Sequence, residues 1–135
     1  MVTGANPLYT MPGSTAVKKA MAGIPFVVSF SSYMDETAQN ADLILPNHTY
    51  LERFEDVPTP FGLQQPVTSL ARPVVEPQFN TQHVGDVVIR IAKALGGSIA
   101  GAFPWDGYQA CLKKTLGNKW ETLMTDGFQI GRAHV

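Results

Sequence analysis

An α/β fold built on an open parallel sheet is what this sequence predicts, and three observations carry the prediction. Phe26-Val27-Val28-Ser29-Phe30 and Leu43-Ile44-Leu45 are short apolar runs with the composition of strands buried on both faces. Helical patterns stand before each run, so strand and helix alternate. Right-handed crossovers in such a series give a doubly wound, Rossmann-like sheet with flanking helices. An irregular Pro-rich excursion and C-terminal helices follow it.

Met1 to Thr3 reads as the end of a strand whose beginning is missing. Gly4-Ala5-Asn6-Pro7 then turns the chain, because Gly permits unusual backbone angles and Asn-Pro favours a turn over a helix. Ser14 is the expected N-cap of a helix from Thr15 to Ala22, whose residues Ala16, Val17, Ala20 and Met21, with Ile24 beyond them, recur at helical spacing. Gly23 and Pro25 end it. After the strand at 26–30, the acidic start of Asp35 to Ala41 suits a short helix, and Pro46 stops the strand Leu43-Ile44-Leu45. Pro58, Pro60, Pro66, Pro73 and Pro77 mark the excursion over 57–79, with one hairpin expected in it. From His83 to Leu95, residues Val84, Val87, Val88, Ile91, Ala92 and Leu95 form one apolar helical stripe closed by Gly96-Gly97. Two shorter helices are expected, Gly107 to Leu116 and Lys119 to Met124. Ile130 to Val135 reads as a non-native tail resembling a translated sequencing adapter, which leaves His134 without functional weight.

The 135 residues allow one domain or part of one, and 44% hydrophobic with 16% charged residues suits a soluble globular segment. A net charge of -1 without a basic run excludes the Lys/Arg footprint of a nucleic-acid binder. No apolar stretch approaches the roughly 20 residues of a membrane-spanning helix, so no direct membrane insertion is expected. Met1-Val2-Thr3-Gly4 lacks the charged and apolar regions of a signal peptide. Cys111, the single cysteine, makes neither an internal disulfide nor an iron–sulfur site, and fits a small apolar position on a helix.

Few residues point to chemistry on their own. A turn at the carboxyl end of a parallel strand is a place where phosphate binds, but Gly4-Ala5-Asn6 is not a dinucleotide fingerprint, and a plain strand-to-helix turn explains it equally well. Asp35, Glu36 and Asp42, then Glu52, Glu55 and Asp56, read as helix-start charge and local ion pairs rather than paired catalytic acids. His48, Glu52 and His83 fall short of a zinc ligand set, and no metal site is expected. A nucleophile elbow and a P-loop are both absent from the sequence.

Read in order, Gly4-x-Asn6-Pro7-Leu8, Pro25-Phe26-Val27-Val28-Ser29, Glu36-Thr37-Ala38-x-x-Ala41-Asp42-Leu43-Ile44-Leu45-Pro46 and Leu51-Glu52-Arg53 resemble the third domain of the molybdopterin oxidoreductases. The resemblance covers roughly residues 3–97 and extends more weakly over 98–128. It implies residues 1–97 as a fragment of that α/β domain, 98–129 as a helical extension of the same subunit, and 130–135 as the foreign tail. It also implies a molybdopterin guanine dinucleotide cofactor, with Gly4, Asn6 and Pro7 at the nucleotide turn, Ser29 near the guanosine and Arg53 where a Lys contacts the cofactor in the family. No catalytic residue or metal ligand falls in this stretch.

Two departures from the family pattern stand out. Phe30 replaces the Asp expected after Ser29, and the acidic residue expected near the His83–Val84 step is displaced to Asp86. Each lost acceptor is worth on the order of 1–3 kcal/mol. Val28 to Thr37, Leu45 to Glu52, Gln65-Pro66-Val67 and Arg72 to Pro77 are similar to stretches in two membrane-attached quinone complexes, the menaquinone reductase complex and alternative complex III. That similarity implies a periplasm-facing respiratory subunit taking part in electron transfer, with a vestigial pterin site. Its partners would be the remainder of its own subunit, an iron–sulfur subunit and a membrane quinone-interacting subunit. The alternatives are an active molybdenum or tungsten reductase of sulfur or other oxyanion substrates, and a stand-alone nucleotide-binding module. As a fragment the chain is not expected to be an enzyme alone, and it is expected to be poorly soluble by itself.

Overall fold

The computed structural model describes residues 1–130 and divides the chain into two compact units. The first unit comprises Met1–His48 with Phe79–Val84; the second comprises Thr49–Gln78 and the chain from Gly85 onward.

In the first unit, β1 (Val2–Thr3), β2 (Val28–Phe30) and β3 (Leu43–Leu45) form a parallel sheet in the order β1-β2-β3. Val2 pairs with Ser29 and Ser29 with Ile44, while Phe30 pairs with Thr3 and Leu45. The α/β class with a parallel sheet and flanking helices is therefore present. The strand order runs one way, so two right-handed crossovers carry their helices to the same face, where a doubly wound sheet would use both. The helices are α1 (Pro7–Thr10), α2 (Ser14–Ala22) and α3 (Glu36–Gln39), and α1 touches both of the others.

Two local expectations are corrected here. The turn after β1 continues into α1 because Pro7 sits at the first helical position, where a missing N–H and a fixed φ favour a helix. Ser14 is not the cap of α2 but its first residue; Gly13, at φ +72°, occupies the cap, a left-handed conformation that Ser would adopt only with strain. No residue of α2 is buried. Asp35 does cap α3, accepting the Ala38 N–H at 2.7 Å.

The sheet of this unit gains a further neighbour from outside its own run of sequence. Asn47 forms a parallel bridge with Gln82, whose N–H donates to the Pro46 carbonyl at 3.0 Å. Asn47 Oδ1 accepts the Val84 N–H at 3.1 Å, and His48 Nδ1 meets Thr81 Oγ1 at 2.7 Å.

In the second unit the Pro-rich excursion holds the expected hairpin. Antiparallel β4 (Glu55–Val57) and β5 (Val67–Ala71) pair Asp56 with Leu70, and Thr59 Oγ1 bonds both the N–H and the carbonyl of Val67 at the end of the hairpin where the connecting loop begins. A third strand, β6 (Phe128–Ile130), adds to the other side of β5, pairing Ile130 with Val67. The rest of the expected tail, residues 131–135, lies outside the described residues.

Helix α4 (Val84–Leu95) begins at the last residue of the first unit and matches the expected apolar helix, followed by α5 (Gly97–Ala102), α6 (Tyr108–Leu116), a 3-10 turn over Gly117–Lys119 and α7 (Trp120–Asp126). The stripe on α4 is only partly covered: Val87 and Ala92 are buried, with Ile89 from outside the stripe, whereas Ile91 and Leu95 face solvent. Leu70, Leu112, Trp120 and Leu123 form an apolar core, with Phe54, Tyr108, Leu116 and Met124 packed around it. Asp86 Oδ1 accepts the Tyr108 N–H at 2.7 Å, and Arg72 donates to the Met124 carbonyl. No helix among the described residues is long and apolar enough to cross a membrane.

Candidate functional site

Because β1, β2 and β3 are parallel, their carboxyl ends share one edge of the sheet, where open α/β sheets place their ligands. Three segments leave that edge in the first unit: the Gly4–Pro7 turn, the Ser31–Asp35 loop and Asn47-His48. Gly4 has φ +61° and no atom within 4 Å of where a Cβ would stand, so a molecule has room to approach the backbone there.

Asn6 is committed within the fold. Its Nδ2 donates to Glu36 Oε2 at 2.6 Å, and its Oδ1 accepts from Thr37 Oγ1 at 2.6 Å. Thr37 Oγ1 in turn accepts the Leu8 N–H at 3.2 Å, and Thr37 is fully buried. The hydrogen bond from Asn6 is the chief reason that the Glu36 carboxyl is held below its usual value. An acid working at neutral pH needs the opposite shift.

Ser29 lies in the middle strand with 2% of its surface exposed, and Phe30 beside it is buried as well. Its neighbours along the loop also satisfy one another. Ser31 Oγ donates to the Tyr33 carbonyl at 2.7 Å, and Ser32 Oγ to the Asn47 carbonyl at 2.8 Å. Arg53 belongs to the second unit and is ion-paired with Glu55 at 2.9 Å. Asn6 and Ser29 thus share one unit, on the turn after β1 and within β2, while Arg53 stands in the other.

The remaining carboxylates serve as local acceptors. Asp42 Oδ2 takes the Val27 N–H at 2.7 Å. Glu52 takes the N–H groups of Thr49 at 2.9 Å and Gln78 at 3.3 Å. Asp56 Oδ1 accepts the Tyr108 hydroxyl at 3.0 Å. Burial, followed by this hydrogen bond and the charges of Asp56 and Glu55, pushes the Tyr108 pKa up to about 12. Among the described residues no three His, Cys, Asp or Glu side chains gather as a metal-binding group. Sequence reasoning had no role for Thr37; the signal was there in the Glu36-Thr37-Ala38 motif, whose partner Asn6 lies about thirty residues earlier, too far for a local pattern to reveal.

A family model described as molybdopterin oxidoreductase matches residues 1–94. The chain is 45% identical, over 96 residues covering 71% of it, to a protein of Nitratidesulfovibrio vulgaris named menaquinone reductase, molybdopterin-binding-like subunit. It is 33% identical, over 77% of its length, to the thiosulfate reductase molybdopterin-containing subunit of Salmonella typhimurium. Those matches span only 14% and 13% of the two relatives' own lengths. Among solved structures, acetylene hydratase from Pelobacter acetylenicus shares the fold with a TM-score of 0.77, at 23% identity, over 95% of this chain and 18% of that one.

Proposed function

From the premise that this chain belongs to the molybdopterin oxidoreductase family, we propose that it is a piece of the large subunit of a quinone-linked respiratory complex whose pterin site is vestigial. The observation that carries this reading is the 45% identity to a menaquinone reductase subunit named molybdopterin-binding-like. Residues 1–97 then belong to the subunit's α/β domain and 98–129 to a helical extension of it. The complex would lie on the periplasmic side of the cytoplasmic membrane. An iron–sulfur subunit and a membrane quinone-interacting subunit would be its electron-transfer partners.

Membership of the family implies a molybdopterin cofactor, and the site residues offer it a poor fit. Gly4 and Pro7 still furnish an open turn at the carboxyl edge. The Asn6 carboxamide is spent on Glu36 and Thr37, Ser29 is buried, and Arg53 is paired with Glu55. Phe30 removes the carboxylate that would receive guanosine N–H donors. A nucleotide here would meet backbone at Gly4 and little else, so the subunit's contribution is to seat redox partners rather than to perform chemistry at a pterin-bound metal.

Metal and nucleotide analysis of the full-length subunit, purified within its complex, tests this. The expected result is less than stoichiometric molybdenum and tungsten, no bound guanine nucleotide, and co-purification with iron–sulfur and membrane subunits. Stoichiometric molybdenum together with guanine nucleotide would instead establish an active reductase with Gly4, Asn6, Pro7, Ser29 and Arg53 around the nucleotide.

A further inference from the structure

We propose that Glu36 and Thr37 are positioning residues which, through Asn6, preset the Gly4–Pro7 turn, so that Asn6 acts as an internal clamp and not as a ligand contact. The inference rests on reading this turn as a wall of the family's cofactor cleft. Three bonds carry it. Both ends of one carboxamide are held at 2.6 Å by adjacent residues of α3, and the Thr37 hydroxyl that holds one end also takes the Leu8 N–H at the start of α1.

The geometry leaves little slack. A hydroxyl donates one hydrogen, and Thr37 spends its hydrogen on Asn6 Oδ1 while a lone pair receives Leu8 N–H. The Asn6 carbonyl is used as well: it receives the N–H groups of Tyr9 and Thr10 and the Thr10 hydroxyl. Side chain and main chain of Asn6 are therefore both anchored, one to α3 and the other to α1, and Gly4 at φ +61° supplies the bend that brings them there. A carboxamide turned outward toward a ligand would leave the Thr37 hydroxyl, fully buried, without its acceptor. The turn should consequently hold one shape whether or not a nucleotide is bound.

The test uses the full-length subunit in its complex, read by amide hydrogen exchange over residues 4–10 and, in the same preparation, by guanine nucleotide content. Thr37→Val keeps the side chain's shape and removes both bonds; Thr37→Ser keeps the hydroxyl. Exchange at Leu8 is expected to rise by about 10- to 100-fold in Thr37→Val, the equivalent of one buried hydrogen bond lost, and to return to the wild-type rate in Thr37→Ser. Glu36→Gln, whose amide oxygen still accepts from Asn6, should stay close to wild type. Unchanged exchange in Thr37→Val, or equal exchange in the Val and Ser variants, overturns the clamp. Guanine nucleotide in the wild-type subunit overturns the vestigial-site reading alone, because exchange at Leu8 still judges the clamp.

Discussion

The two units of this chain are held together by different means. In the first, buried apolar residues such as Leu8, Val27, Phe30 and Ala38 are joined by short polar side chains that reach across sequence to backbone and to one another. Asn6 meets α3, Asp42 takes the Val27 N–H, and Ser32 holds the Asn47 carbonyl. In the second, a contiguous apolar cluster of Leu70, Leu112, Trp120 and Leu123 does the holding. The contrast follows from sheet architecture. Strands of two or three residues bury too little surface to fix their own connections, so the first unit relies on directional bonds that each specify one arrangement. An apolar cluster tolerates repacking more readily and draws its strength from area.

Substitutions ranked by size can break or sharpen this contrast. Leu123→Ala should have the largest effect, because Leu123 has no exposed surface: a loss of about 2–5 kcal/mol in local opening free energy of α7, read by native-state exchange in the full-length subunit. Asp42→Ala should cost less, about 1–3 kcal/mol around Val27, with Asp42→Asn recovering much of it by keeping an acceptor at the same place. Were Asp42→Ala to cost more than Leu123→Ala, the contrast between the units would be reversed. The smallest effect is set by pH. Tyr108 has its pKa raised to about 12, so its neutral form is favoured when folded. The stabilisation is fully present below the ordinary tyrosine value of about 10 and is lost as pH rises through the folded value. Absorbance-monitored alkaline unfolding should show that loss in the wild type, and a flatter profile in Tyr108→Phe.

Much of this was legible from the residues. The apolar runs at 26–30 and 43–45 announce parallel strands, but their burial is less complete than such runs suggest, with Phe26 and Leu43 exposed. The α4 pattern stands where spacing puts it, and the expected hairpin forms, its first strand starting ahead of the excursion. The misses have physical causes. Asn6-Pro7 reads as a turn by local preference, yet Pro at a first helical position serves α1. Gly96-Gly97 does close α4, but the short helix α5 that starts at Gly97, with Gly96 in the cap, was not foreseen. Strand β6 has three residues and pairs with a strand some sixty positions earlier, so no window of sequence contains its reason for forming. At the candidate site, position along the chain was readable but commitment was not. The motif that most strongly signals the family, from Glu36 to Pro46, is accounted for here by an Asn6 acceptor, a hydroxyl bridge, a buried Ala38 and the Val27 acceptor Asp42.

The junction near Asn47 has an evolutionary corollary. Four contacts fasten the segment before residue 49 to the one after residue 78: the Asn47–Gln82 bridge, the Gln82 bond to Pro46, the His48–Thr81 bond and the Asn47–Val84 bond. Between them the strands β4 and β5 and the core residue Leu70 are fixed, but the connection over 58–66 holds no core residue and can lengthen at little thermodynamic penalty, about 0.6 kcal/mol for each doubling. That connection is then free to be remodelled, trading one accessory surface for another, while the parallel strands keep their register.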